Sequence, residues 1–86
     1  MNTLLKQLHE TDWADVTHID EAELLMGLVN IEIQKVRDGK VKDALKGVYN
    51  AISNLRDALN CGMVFGEIAE IKDAITVLER ISWDYV

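Results

Sequence analysis

The sequence contains a single cysteine, no proline and no long uninterrupted apolar run. Cys61 alone cannot form an internal disulfide, which excludes a small secreted scaffold held together by disulfides. No apolar run approaches the roughly 20 residues that a membrane-spanning helix needs. The first ten residues lack the basic flank and apolar core of a signal peptide. We therefore expect a cytoplasmic protein that does not bind membranes.

Basic residues are also scarce, with nine Lys and Arg against 15 Asp and Glu and a net charge of −6. Direct nucleic-acid binding needs many cations that neutralise phosphates, so this balance argues against it. The charge is uneven, because residues 1–23 and residues 57–86 each carry six acids with only one and two bases. Residues 24–56 instead carry six bases and three acids. Such a distribution affects partners and encounter rates more than the fold.

Motifs that carry out chemistry are missing as well. The chain has no HExxH pair, no paired cysteines, no EF-hand loop and no glycine-rich phosphate loop. His9 and His18 could flank a divalent metal, but their spacing fits no common site. Cys61 precedes Gly62 at a predicted helix end, where the negative dipole disfavours a thiolate. We expect no catalysis, no metal and no cofactor, with Cys61 a buried or half-buried packing residue.

What the chain does have is apolar residues at helical spacing, which make up most of the 49% apolar content of its 86 residues. This length favours a single domain, and spacings of three and four favour an all-α fold. The clearest helix start has Asp20 as N-cap and Glu23 in a variant capping box. Helix A is therefore predicted over 20–38, with Gly39 as a left-handed C-cap.

Two further helices follow from apolar seams whose steps alternate between three and four residues. Helix B is predicted over 41–60 and helix C over 64–82. The seams are Val41, Leu45, Val48, Ile52, Leu55 and Leu59 in helix B, and Val64, Ile68, Ile71, Ile75 and Leu78 in helix C. Short connections make consecutive helices antiparallel neighbours. The predicted architecture is an antiparallel three-helix up-down-up bundle.

The lead, residues 1–18, is predicted to hold a short helix and to pack across one end of the bundle. A helix there would carry Leu4, Leu5 and Leu8 on one side. In this topology Trp13 is expected near the turn between helices B and C, beside three residues: Cys61, Met63 and Phe65. At the opposite end, Trp83 and Tyr85 are expected beside Lys40 and Lys42.

Helix A carries more apolar surface than one packed face requires, since its apolar residues cover about 220° of arc and a single packed face needs little more than 100°. Either the other helices and the lead cover all of it, or a second subunit covers part of helix A and the lead, making a homodimer. The surplus face comprises Leu24, Leu28, Ile31 and Ile33, with Glu32 inside the arc. A buried carboxylate needs a partner group, so Glu32 is either a functional acid or lies in a solvated groove.

Three groups of residues are candidates for binding a partner. The acidic face of helix C, Glu67, Glu70 and Asp73, could imitate the phosphates of DNA or simply solubilise the protein. Trp83 and Tyr85 are either an anchor for a partner or a plug on the core. Lys40 and Lys42 begin helix B, where cations are unfavourable. They either dock an anion with help from free N–H groups, or are neutralised by Asp43, Asp84 and the C-terminal carboxylate.

These features favour a non-enzymatic protein that binds another protein. The first hypothesis is a small acidic regulator or inhibitor, of the kind that bacteria and their viruses encode as short chains, acting against a nucleic-acid-binding protein. The second is a homodimeric structural or assembly adaptor, or a chaperone, held together through helix A. The third is a small metal- or ligand-binding protein that uses His9 and His18.

Overall fold

The computed structural model describes residues 2–64 and 66–84, with the backbone alone at Asn2 and residues 82–84. All the regular secondary structure in these residues is helical, and none of it is strand, so the all-α prediction is confirmed. None of the helices described is long and apolar enough to cross a membrane. The elements are α1 (Asn2–Glu10), a 3-10 turn (Trp13–Asp15), α2 (Ile19–Lys35), α3 (Gly39–Cys61) and α4 (Glu67–Asp84).

The third helix, α3, packs against both α2 and α4, while α1 packs against α2 and α4. The predicted seam of α3 is buried from Val41 to Leu55, and Leu59 is half-buried. In α4, Ile71, Ile75 and Leu78 are buried in the same core. The molecule is elongated, with extents of 39 × 20 × 20 Å. The packing is therefore dominated by α3, which buries its apolar residues against both α2 and α4.

The lead is an integral part of this core. Leu4, Leu5 and Leu8 of α1 are buried, and Trp13 is only 3% exposed. Trp13 lines a cleft with Lys72, Ile75 and Thr76 of α4, whereas Cys61 and Met63, which the sequence predicts beside it, line a different one. This placement agrees with the packing of α1 on α4. Phe65 lies outside the described residues.

The start of α2 differs from the capping box predicted at Asp20. The helix begins at Ile19, and His18 is its N-cap without a side-chain hydrogen bond. The N–H of Glu21 donates to the carbonyl of His18 at 3.2 Å. Asp20 and Glu21 therefore lie inside the first turn, where their charges still favour the positive helix end.

The turn between α2 and α3 also corrects the prediction, since α2 ends at Lys35 and Gly39 is the first residue of α3. Asp38 is the N-cap: its carboxylate accepts hydrogen bonds from the N–H groups of Lys40 and Val41 at 2.9 and 3.0 Å. This cap needs an extended Asp38, and Val36 has an extended backbone as well. A left-handed glycine is therefore not required at Gly39.

The turn between α3 and α4 does use a left-handed glycine. Gly62 has φ of 76°, and its N–H donates to the carbonyls at the end of α3. The next helix begins at Glu67, three residues after the predicted start at Val64. Met63 and Val64 consequently lie in the turn, where they are 58% and 39% exposed.

Alanine substitutions at two glycines, Gly62 in the turn and Gly47 inside α3, test the geometry of this turn. Replacing Gly62 by Ala should lower the free energy of unfolding by about 1 kcal/mol or more, because a Cβ strains a left-handed backbone. Replacing Gly47, inside α3 with open space around it, by Ala should raise the free energy by up to about 1 kcal/mol. Urea unfolding followed by circular dichroism measures both, and changes of the same sign would contradict the turn geometry.

Leu8 tests whether the lead belongs to the cooperative core. Its side chain is fully buried, at 0% exposure, so Leu8→Ala should lower the free energy of unfolding by about 2–5 kcal/mol through lost burial and a cavity. Val77 is 50% exposed, and Val77→Ala should change the same quantity by less than about 0.5 kcal/mol. A Leu8→Ala protein as stable as wild type in urea would show that α1 unfolds separately.

Candidate functional site

A shallow cleft of about 420 Å³ opens where α3 ends and α4 begins. We call it the acidic cleft, because three carboxylates line it and its described lining includes no Lys or Arg. The lining residues are Asn54, Asp57, Ala58, Cys61, Met63, Glu67 and Glu70. Its surface therefore combines negative charge with the exposed thioether of Met63.

Local structure places these carboxylates for separate reasons. Glu67 and Glu70 occupy the first turn of α4, where the positive end of the helix dipole stabilises acids. Their spacing of three residues puts both side chains on one face of the helix. Asp57 lies near the end of α3, and the left-handed turn at Gly62 brings the two helix ends together. The cleft is thus a product of the α3–α4 turn.

A second cleft, of about 360 Å³, shares Asp57 and extends the surface toward α2. Its other lining residues are Ile19, Glu23, Arg56 and Asn60. A guanidinium N–H of Arg56 donates to the carboxylate of Asp57 at 3.2 Å. Both groups are solvent-accessible, so this pair contributes little energy and leaves the surface acidic.

Two of the three acids predicted on helix C meet in the acidic cleft, namely Glu67 and Glu70. Asp73 is exposed one turn further along α4 and does not line it. Sequence reasoning missed Asp57 and Met63 as members of this surface. Neither has a local signal, because one belongs to the end of α3 and the other to the turn.

At the N-terminus of α3, the docking of an anion by Lys40 and Lys42 stays a prediction, but two N–H groups that would assist it are already hydrogen-bonded. The carboxylate of Asp38 already accepts from the N–H of Lys40 and of Val41, so these groups are not free for a phosphate. Among the described side chains, Asp43 takes part in no ion pair, and its neutralisation of the lysines stays a prediction. The side chain of Asp84 lies outside the description.

The sequence predicts an aromatic pair, Trp83 and Tyr85, near the end of the chain. The structure describes only the backbone of Trp83, and Tyr85 lies outside the described residues. The role of the pair as anchor or plug therefore stays a prediction, as does its placement beside Lys40 and Lys42.

Cys61 is exposed, which corrects the prediction of a packing cysteine. It is the last residue of α3, where the helix leaves the core before Gly62. The described residues that line the cleft with it include no histidine. The described lining of this cleft therefore offers Cys61 no histidine as a base.

His9 lies against α4, where its Nε2 is 3.1 Å from the carboxylate of Glu79. It also lines the cleft of about 270 Å³ that contains Trp13. His18 is exposed at the start of α2. Over residues 2–64 and 66–84, no group of three or more His, Cys, Asp or Glu side chains is placed to hold a metal.

The surplus apolar face predicted for α2 is partly exposed and partly buried. Leu24 and Ile31 are 66% and 52% exposed, Leu28 is half-buried, and Ile33 is buried in the core at 8%. Ile33 therefore lies among the core-facing positions of the helix, as expected if the chain's own helices cover that part of the face. Glu32 is half-buried between the two sets.

No protein-family model, curated protein or solved structure matches this chain. The functional argument therefore depends on the surfaces described above.

The capping role of Asp38 gives a direct test of the α3 N-terminus. Asp38→Ala should lower the free energy of unfolding by about 1 kcal/mol, because two backbone N–H groups lose their acceptor. Asp43→Ala removes an equal charge one turn later without removing a hydrogen bond and should change the free energy by less than about 0.5 kcal/mol. Urea unfolding followed by circular dichroism distinguishes the two, and equal effects would exclude the cap as the cause.

Proposed function

We propose that the protein acts without catalysis, as a small acidic regulator or inhibitor that binds a basic segment of another protein in the acidic cleft. The observation that supports this proposal is the coincidence of Met63, which is 58% exposed, with the carboxylates of Asp57, Glu67 and Glu70 in one cleft. A segment that binds there would present Lys or Arg side chains around an apolar one.

Physical chemistry favours a protein partner for such a surface. Protein interfaces combine an apolar centre with a polar, solvated rim, and exposed large apolar side chains often mark them. Met63 has a flexible and polarisable side chain that adapts to different partner shapes. The surrounding carboxylates would speed encounter with a basic partner by electrostatic steering. A nucleic-acid-binding protein is the favoured class, because its phosphate-binding surface is basic.

The proposed framework is the antiparallel up-down-up order of α2, α3 and α4 predicted from the sequence. The connections of residues 36–38 and 62–66 are short, which favours antiparallel neighbours. This order would bring the start of α2, the end of α3 and the start of α4 to one end of the molecule. Its support is the cleft that joins Glu23 of α2 to Asp57 of α3.

A second candidate function is a homodimeric structural or assembly adaptor. The exposure of Leu24 and Ile31 on α2 favours it, because these side chains are left uncovered by the chain's own helices. An adaptor of this type would depend on apolar contacts and would resist salt, whereas the acidic cleft should bind in a strongly salt-dependent way.

The acidic cleft is tested by capture from cell lysate at low salt, with purified candidates then measured by calorimetry. The double variant Asp57→Lys/Glu70→Lys should weaken binding of the captured protein at least about tenfold, since two close charge pairs are reversed. Met63→Ser should weaken the same binding with little change in its salt dependence.

The matched control is Asp15→Lys/Asp43→Lys, which changes the net charge equally at two exposed positions outside the cleft. Its affinity should stay within about twofold of wild type at moderate salt, where distant charges are screened. If the control and the cleft variant lose affinity equally, net charge rather than the cleft determines binding, and the proposal is wrong.

A further inference from the structure

The outward face of α2 carries an apolar stripe that contributes little to the packing within this chain. At about 100° per residue, Asp20, Leu24, Leu28, Ile31 and Lys35 fall within an arc of about 80°, roughly opposite the core-facing residues. Leu24 is 66% and Ile31 is 52% exposed, and Leu28 is half-buried at the edge of the arc. We call these five residues, together with Gly27, the α2 stripe.

The α2 stripe is symmetric about the midpoint between Gly27 and Leu28. Leu24 and Ile31 are equidistant from this point, and so are Asp20 near the start of α2 and Lys35 at its end. Both charged residues are exposed, and neither takes part in an ion pair among the described side chains. The stripe thus runs acid, apolar, apolar, base, and it complements itself when reversed.

We propose that the α2 stripe binds a second copy of this chain, with the two α2 helices antiparallel about a twofold axis between Gly27 and Leu28. Leu24 packs against Ile31 of the second copy, and Leu28 packs over Gly27 of the second copy next to the axis. Asp20 faces Lys35 of the second copy twice, once at each end. A twofold interface requires this self-complementarity, because each surface must match its own reverse.

Gly27 permits the close approach that such a pair needs. It is exposed, and a Cβ built on it meets nothing within 4 Å, so no packing inside the chain explains a glycine in the middle of α2. Glycine in a helix interior costs about 1 kcal/mol relative to alanine. Beside the axis, however, two glycines let the helices approach to the short end of the 8–10 Å range for packed helices.

The length of the stripe sets the strength of the dimer. From Asp20 to Lys35 it spans about 22 Å, since an α-helix rises 1.5 Å per residue. A single helix pair of this length belongs to the small interfaces, below about 1,200 Å², which are typical of weak and transient association. We therefore expect dissociation constants in the micromolar range or weaker. This inference does not depend on the acidic cleft, because the stripe excludes Asp57, Glu67 and Glu70. It gives the homodimer of the second candidate function a specific geometry.

Sedimentation equilibrium over micromolar to millimolar concentration tests the dimer. The wild-type mass should rise from 9.7 kDa toward twice that value. Ile31→Ser should weaken dimerisation about tenfold or more, while Val77→Ser, at a similar exposure of 50% on α4, should leave it unchanged. A mass of one chain at every concentration, or equal effects of the two variants, would overturn the proposal.

Charge exchange tests the antiparallel register without touching the apolar residues. Asp20→Lys alone and Lys35→Asp alone place like charges opposite each other and should each weaken the dimer roughly threefold to tenfold, since two pairs change by symmetry. The double variant Asp20→Lys/Lys35→Asp should restore it. In a parallel pair each residue faces its own copy, so the single variants would not weaken it, and that result would reject the register.

Disulfide trapping tests the same antiparallel register in variants that keep every charged residue. In a Cys61→Ser background, which removes the exposed native thiol, the Leu24→Cys and Ile31→Cys proteins are mixed and oxidised with glutathione disulfide. The mixed dimer should form faster than either self-linked dimer, because residue 24 of one copy lies opposite residue 31 of the other. Faster self-linking of Leu24→Cys would contradict the proposed axis. Circular dichroism confirms that each variant is folded.

Discussion

Burial of the apolar seam of α3 between its two neighbours is the constraint on which the rest of the structure depends. Leu45, Val48, Ile52 and Leu55 are between 0% and 1% exposed, and α2 and α4 both pack on this helix. A small chain buries a modest share of its surface, so such a seam must be covered almost completely to offset the lost conformational entropy. Once α2 and α4 are fixed against α3, the turns at Asp38 and Gly62 have little freedom, and the surfaces at the helix ends follow.

The two turns then decide which charges are available to a partner. At the start of α3, the carboxylate of Asp38 accepts hydrogen bonds from the N–H groups of Lys40 and Val41. At the end of α3, the left-handed Gly62 exposes Met63 and brings Asp57 toward the acids of α4. A cap that uses an acid removes that charge from recognition, whereas a glycine cap uses only backbone groups and no side-chain charge.

The second helix serves the fold with one face and remains apolar on the other. Leu25, Val29 and Ile33 are buried, while Leu24 and Ile31 are at least half exposed on the outward side. An apolar stripe flanked by an acid at one end and a base at the other is the kind of exposed surface that often marks an interface. The stripe is separate from the acidic cleft, so the two proposed interactions would use different surfaces.

The sequence by itself determined the all-α class, the apolar seam of α3, the seam of α4 from Ile68 onward, and the surplus of apolar surface on α2. These follow from periodicity, which is local and is reinforced over many residues. Only the tertiary structure decided the cap at Asp38, the exposure of Cys61, the position of Trp13 on α4 and the meeting of Asp57 with Glu67 and Glu70. Each of these depends on where one helix end lies relative to another, and a few residues of turn geometry decide that placement without leaving a periodic signal.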